Sequence, residues 1–404
     1  VLPAGVFKPG ALADLRVIEL GTLLAGPFCG QLMGDMGAEV IKIEPPGLGD
    51  PLRVWGRESS GDKSLWWPVV GRNKKAITLD LRVAEGQALL KQLVAKADFL
   101  LENFRPGTME KWGLGWKELS AINPRLIMIR VSGYGQSGPY SSRAGFGSIG
   151  EAMGGLRYVV GDPSTPPSRV GISLGDSLAA TYACLGALAA LHHREKTGVG
   201  QVVDSAIYEA VLAMMESLVT EYDKTGYIRE RTGPILPNIA PSNVYPTSDD
   251  QWVLIGANQN GVFARLCDAM GQPNLASDVR YATHGARGER QTELDDLIAN
   301  WTRTVTQDDL LRLMEKHGVP AGLIYRAPEM LTDPHFKARN AIVEVPHPDF
   351  GTLKMQNVAP RLSVTPGSIR SPSPSIGQHN DEIYGQLLGL APQRVAELKS
   401  AKVI

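Results

Sequence analysis

Leu15-Arg-Val-Ile-Glu-Leu20, Gly21-Thr-Leu-Leu-Ala-Gly26-Pro27 and Glu39-Val-Ile-Lys-Ile43 decide the fold of this 404-residue chain. The first and last segments read as short buried strands. Gly21 ends the first, and Ala25-Gly-Pro27 opens a helix running to about Met36, with the proline suited to the first turn. Strand, helix and strand in that order form a βαβ unit, which demands parallel pairing and a right-handed crossover. Further strands are expected at 76–81, 98–102 and 126–131, with a helix at 83–96. The alternation predicts an α/β fold with a doubly wound parallel sheet, whose ligands lie at the carboxyl ends of the strands.

Residues 132–175 are rich in Gly, Ser and Pro, and an irregular stretch of that length is more often functional than idle. Helices are expected at about 177–195 and 203–226. Residues 233–246 (GPILPNIAPSNVYP) read as a linker. A strand in QWVLIGA and helices near 259–270, 289–304 and 307–317 then make a smaller unit of roughly 230–330. The tail SVTPGSIRSPSPSIGQHN reads as extended.

Composition is that of a globular protein, 43% hydrophobic and 21% charged, too long for one simple core. Lys plus Arg number 41 against 42 for Asp plus Glu, so no general charge favours nucleic acid or an anionic membrane as partner. Three scattered cysteines, Cys29, Cys184 and Cys267, fit neither a disulfide framework nor a CxxC metal site, and a cytoplasmic location is the expectation. The apolar run near 178–191 is shorter than the ~20 residues of a membrane-spanning helix. The start, VLPAGVFKPG, shows no basic region followed by a long apolar core, so no signal peptide is expected.

The first βα turn lacks GxGxxG, and GxxxxGK[ST] is absent, which argues against a Rossmann dinucleotide site and a P-loop. Gly71-Arg-Asn-Lys-Lys75 is either a solvated cluster or a phosphate-binding one. Glu102-Asn-Phe-Arg-Pro-Gly107 follows a strand directly, where ligands bind. Gly171-Ile-Ser173-Leu-Gly175 matches the GxSxG nucleophile elbow, but Thr165-Pro-Pro-Ser-Arg-Val before it is a poor strand. All seven histidines lie at or beyond His192 without metal-ligand spacing; no metal site is expected. Asp176 stands where a glycine-flanked loop becomes an apolar helix. It reads either as an N-cap or as a nucleophile. A carboxylate at a helix N-terminus stays ionised and attacks an activated acyl carbon without a general base.

Taken together, LRVIELGTLLAGPFCGQLMGDMGAEVIKIEPPGLGDPLR, NKKAITLDL, LLENFRPGTMEKWGLGW, GYGQSGP, GDSLAATYACLGALAALHHREKTGVGQVVD and SIGQHNDEIYGQLLGL match one family in order and spacing. The chain resembles the class III CoA transferases, the formyl-CoA transferase family, nearly end to end. The resemblance implies a large domain built from both chain ends (1–228 and 331–404), a smaller one (229–330), and two chains threaded as interlocked rings. It implies coenzyme A as co-substrate, with no further cofactor, and Asp176 as a nucleophile that passes through an aspartyl mixed anhydride and an aspartyl-CoA thioester. Carried across by position, Leu23, Leu24, Ala25, Lys74, Asn103, Phe104 and Lys111 fall along CoA, and Tyr134 falls near the reacting carbonyl. Ser132 stands where the family has a lysine before Gly-Tyr. The family's glycine-run lid has no counterpart in PNIAPSNVYPTSDD. Arg72 and Arg143, with the likeness to transferases that use succinyl-CoA, suggest a dicarboxylate or hydroxydicarboxylate acceptor, since a free distal carboxylate wants an arginine.

Three other readings stand beside this one. An α-methylacyl-CoA racemase of the same fold needs a His-Asp pair where this chain has Ser142-Arg-Ala-Gly-Phe146. A serine hydrolase would use Ser173. A non-catalytic CoA-binding chain would pair with a paralogue in a hetero-oligomer rather than form a homodimer.

Overall fold

The computed structural model describes residues 10–56, 59–60 and 63–404; most of the VLPAGVFKPG start, and part of the loop after Arg53, lie outside them. The chain divides into two units. The larger comprises residues 1–156, 170–225 and 337–404, and the smaller comprises 157–169 and 226–336.

The larger unit is built on six parallel strands: β1 (Arg16–Glu19), β2 (Glu39–Glu44), β3 (Lys74–Thr78), β4 (Phe99–Glu102), β5 (Ile127–Ser132) and β6 (Val202–Ala206). Their spatial order is β3-β2-β1-β4-β5-β6. The order reverses between β1 and β4, and the crevice at such a switch point is where open α/β sheets hold ligands. The central strands are nearly continuous in Val, Ile, Leu and Met because helices cover both faces. Helix α1 (Ala25–Asp35) makes the first crossover, and α2 (Ala84–Val94) the one from β3 to β4. The short helix α3 (Thr108–Lys111) follows β4, and α4 (Gly147–Met153) follows β5.

Helix α5 (Leu174–Thr197) is longer than the apolar run suggests. At 24 residues it is long and apolar enough to cross a membrane, yet it packs on α1, β5 and β6. Residues 203–226, expected to be one helix, instead start with strand β6 at the sheet edge, followed by helices Ile207–Leu212 and Leu218–Thr225. The chain end returns to this sheet: Tyr384 donates to the Thr78 carbonyl at 2.6 Å, and Asn380 accepts from the Thr78 N–H at 2.9 Å.

The smaller unit pairs β7 (Ser242–Pro246) and β9 (Ala321–Leu323) antiparallel on either side of β8 (Trp252–Gly256). Helices α6 (Asn260–Ala269), α7 (Gln291–Thr302) and α8 (Gln307–His317) enclose a core containing Tyr245, Phe263, Leu266 and Ile298. The end of the expected linker is therefore strand: proline is tolerated there because β7 is an edge, where one row of ladder donors is not needed.

Candidate active site

At the switch point the chain holds the Gly21–Pro27 turn from below with buried charges. Leu23 has φ of +63°, a left-handed conformation that costs a non-glycine residue about 1 kcal/mol or more. Asp50 accepts the Leu23 N–H at 3.1 Å, and Asn103 brackets Thr22, accepting its N–H at 2.8 Å and donating to its carbonyl at 2.9 Å. Lys42 donates to the Gly21 carbonyl and pairs with Asp50 at 2.7 Å, with both side chains fully buried. Burial works against both charges. For Asp50 it is outweighed by Lys42 and by the backbone N–H donors, which hold the carboxyl below the usual aspartate value. For Lys42 it is outweighed by Asp50, Glu19 and Glu44, which lift the ammonium above the usual lysine value.

Three residues expected along the ligands have structural partners here. Lys74 is fully buried, donating to the Pro27 carbonyl at 2.7 Å and pairing with Glu19 at 2.8 Å. Burial, aided by Lys42, leaves its ammonium below the usual lysine value. Arg72, 2% exposed, forks onto Asp35 and donates to the Gln356 carbonyl at 2.6 Å. Both ends of the Asn103 amide serve Thr22. A Cβ on Gly30 would crowd Glu19 Oε2 and displace it from its pair with Lys74. Of the remaining expected residues, Leu24, Phe104 and Lys111 are more open. Leu24 precedes α1, packed near Leu52 and Trp67, and Ala25 is its buried first residue. The Phe104 ring lies edge-on to Trp112 at 5.4 Å, and its N–H donates to Glu102. Burial raises the Glu102 carboxyl despite the pull of Arg130 at 2.7 Å. Lys111 is exposed at the end of α3.

Asp176 is not the N-cap. Ser173 holds that position, and Asp176 is the third residue of α5, in its first turn and half-buried. Its carboxylate rests against Gly147, where a Cβ would lie 2.2 Å from Oδ2. The chain just before Gly147 carries Arg143, and Tyr134 packs against it at Gly145. The Tyr134 ring is 3.4 Å from the place of a Gly145 Cβ and lies edge-on to Tyr140 at 6.1 Å. The exposed Arg143 guanidinium stacks on Tyr140 at 3.7 Å, and among the described residues it has no carboxylate partner. Ser132, at the family's lysine position, accepts the Gly135 N–H at 2.9 Å and closes the Gly-Tyr turn, while Asp204 accepts from Gln136 at 2.9 Å. No strand leads into Ser173, so the elbow geometry is missing. Among the described residues no group of three His, Cys, Asp or Glu could hold a metal.

Sequence reading passed over Lys42, Asp50 and Glu151. A lysine inside a strand buried on both faces was the signal available for the first. Glu151 reads as an ordinary helix-surface acid, and only packing shows that it is 1% exposed.

The sequence matches CoA-transferase family III over residues 12–380, and the chain belongs to that family. It is 63% identical over 396 residues to the succinyl-CoA–D-citramalate CoA-transferase of Chloroflexus aurantiacus, covering 98% of both chains. It is 42% identical to the beta subunit of succinyl-CoA–L-malate CoA-transferase from the same organism, covering 97% of this chain and 98% of that one. A CAIB/BAIF family protein from Brucella suis superimposes with a TM-score of 0.82 at 34% identity, over 94% of this chain and 100% of that one.

Proposed function

We propose that this enzyme moves CoA from succinyl-CoA to a hydroxydicarboxylate of the citramalate type, with Asp176 as nucleophile. The carrying observation is the Asp176 carboxylate, set in the first turn of α5 against a glycine that leaves it room. The likeness to transferases that use succinyl-CoA with citramalate or malate supports the substrate class.

The chemistry balances without a proton donor. An Asp176 oxygen attacks the succinyl thioester carbon; the C–S bond breaks, leaving an aspartyl-succinyl anhydride and CoA thiolate. The thiolate attacks the aspartyl carbonyl and succinate departs, leaving aspartyl-CoA thioester. The acceptor carboxylate attacks that thioester, giving a second anhydride and free thiolate. The thiolate then takes the acceptor acyl group and restores Asp176. Every step exchanges one activated acyl for another, so catalysis reduces to holding reactants in line. In this reading the Leu23–Ala25 turn, Phe104 and Lys111 lie along CoA. Lys74 and Asn103 support that binding by bracing the turn, and Arg72 braces the fold beside them. Tyr134 borders the reacting carbonyl, and Arg143 takes the distal carboxylate. We place the enzyme in the cytoplasm, where its buried cysteines stay reduced.

We also read it as a dimer of interlocked chains. Leu185 is 61% exposed midway along α5, and Ile149, Met153, Met214, Val219 and Tyr222 are exposed on α4 and the helical region after β6. So large an apolar display favours a covering chain.

The test is chemical. Succinyl-CoA with hydroxylamine should convert the Asp176 carboxyl to a hydroxamate, read by peptide mass. Asp176→Ala should abolish the label and lower turnover by at least about a thousandfold. Full activity in that variant refutes the nucleophile. Turnover by the purified single chain decides against a non-catalytic subunit.

A further inference from the structure

Glu151 lies in the second turn of α4 and is 1% exposed. Its Oε1 accepts the Gly175 N–H at 3.1 Å. Gly175 is the second residue of α5, and Ser173, the N-cap, makes no side-chain capping bond. The amide that an N-cap hydroxyl ordinarily satisfies is thus met by a carboxyl from another helix. The two helices meet closely. A Cβ on Gly175 would lie 2.9 Å from Glu151 Cγ and 3.1 Å from the Gly147 carbonyl, and Gly147 is the residue on which the Asp176 carboxylate rests. Helix α4 therefore grips residue 175 with its second turn and residue 176 with its first residue.

We propose that Glu151 is a positioning residue for Asp176: by capping α5 from α4, it sets the pitch of the turn that carries the attacking carboxylate. The inference rests on Asp176 as nucleophile. A buried carboxyl is expensive to desolvate, and packing alone would be served better by leucine. The acceptor atom gives it a use, since a displacement of about 1 Å at a reacting group is enough to cost roughly a hundredfold in rate. Glutamine keeps an acceptor oxygen at the same reach, whereas alanine removes it.

Single-turnover formation of the Asp176 hydroxamate from succinyl-CoA, the KM for succinyl-CoA and the melting temperature are compared in wild type, E151Q and E151A. The E151A enzyme is expected to form the hydroxamate about 30- to 100-fold more slowly, with KM within about threefold of wild type. E151Q is expected to recover to within about fivefold. E151L, which keeps the volume without an acceptor, replaces E151A if the latter does not fold. Labelling at the wild-type rate in E151A or E151L overturns the proposal. So does a folded E151Q as slow as E151A, because the bond to Gly175 survives in it. A wild-type enzyme giving no hydroxamate at Asp176 refutes the nucleophile itself, and shows this before any variant is compared.

Discussion

Lys42 and Asp50 hold a strained backbone in place through two charges that water never reaches. Breaking such a pair from one side typically costs about 3–5 kcal/mol, because the other charge is left buried alone. Lys42→Met should lower stability by that order in urea unfolding, and the loss should depend on pH. With Lys42 present, the Asp50 carboxyl sits below the ordinary aspartate value of about 3.9. Its stabilisation is then full above that value and is lost as pH falls through the lower folded-state value. Without Lys42, burial, the largest influence on Asp50, is opposed only by the Leu23 and Leu52 N–H donors and raises the folded-state value, so stability declines as pH climbs above about 4. The gap between wild type and variant should widen between pH 3.5 and pH 6 (about the carboxylate range). A constant gap would mean that the pair is not ionised. On the reading of Arg143 as carboxylate partner, Arg143→Met should raise KM for dicarboxylate acceptors about tenfold or more while sparing monocarboxylates. Equal effects on both classes would remove Arg143 from specificity.

At the scale of elements, the α4–α5 junction separates activity from stability. Gly147→Ala adds a Cβ at 2.2 Å from Asp176 Oδ2. Alanine favours a helix by about 1 kcal/mol over glycine, so the helix itself should not weaken. The carboxylate must move, and kcat should fall about a hundredfold with little change in melting temperature. On the reading of Asp176 as nucleophile kcat must respond, and an unchanged kcat would count against that role. Gly200 behaves differently. A Cβ there would lie 1.9 Å from the Leu126 carbonyl, which is backbone and has nowhere to go. Gly200→Ala should destabilise by about 2–3 kcal/mol in urea unfolding, with the activity of the folded fraction intact. Gly200 stands just before β6, the strand that sequence reading took for helix. Val202-Val-Asp-Ser-Ala206 runs into a helix at Ile207 with no turn between them. Periodicity offered no boundary there, and the ladder with β5 decided the matter.

For the whole molecule, the interlocked reading makes a prediction that an ordinary dimer does not. Sedimentation should give twice the 43.5 kDa chain mass at all dilutions, and loss of the dimer in denaturant should coincide with unfolding. Folded monomer at high dilution would exclude threaded rings. Much of the architecture was legible in the chain. The LRVIEL and EVIKI strands, the helix between them and the later α/β alternation follow from hydrophobic period and turn chemistry, which are local properties. Asp176 was legible as an acid at a helix start, although α5 begins three residues earlier than expected and makes Ser173 the cap. Other assignments depended on neighbours far away in sequence. Lys74 and Arg72 look like surface cations until Glu19, Pro27, Asp35 and Gln356 are seen around them. Glu151 looks like any helix acid until Gly175 is found against it. By itself, then, the sequence determined most of the elements, their alternation and the place of an acid at the start of α5. Tertiary structure alone decided which charges face inward and which residues lie against that acid, because burial and hydrogen-bond partners are set by the parts of the chain that folding brings together.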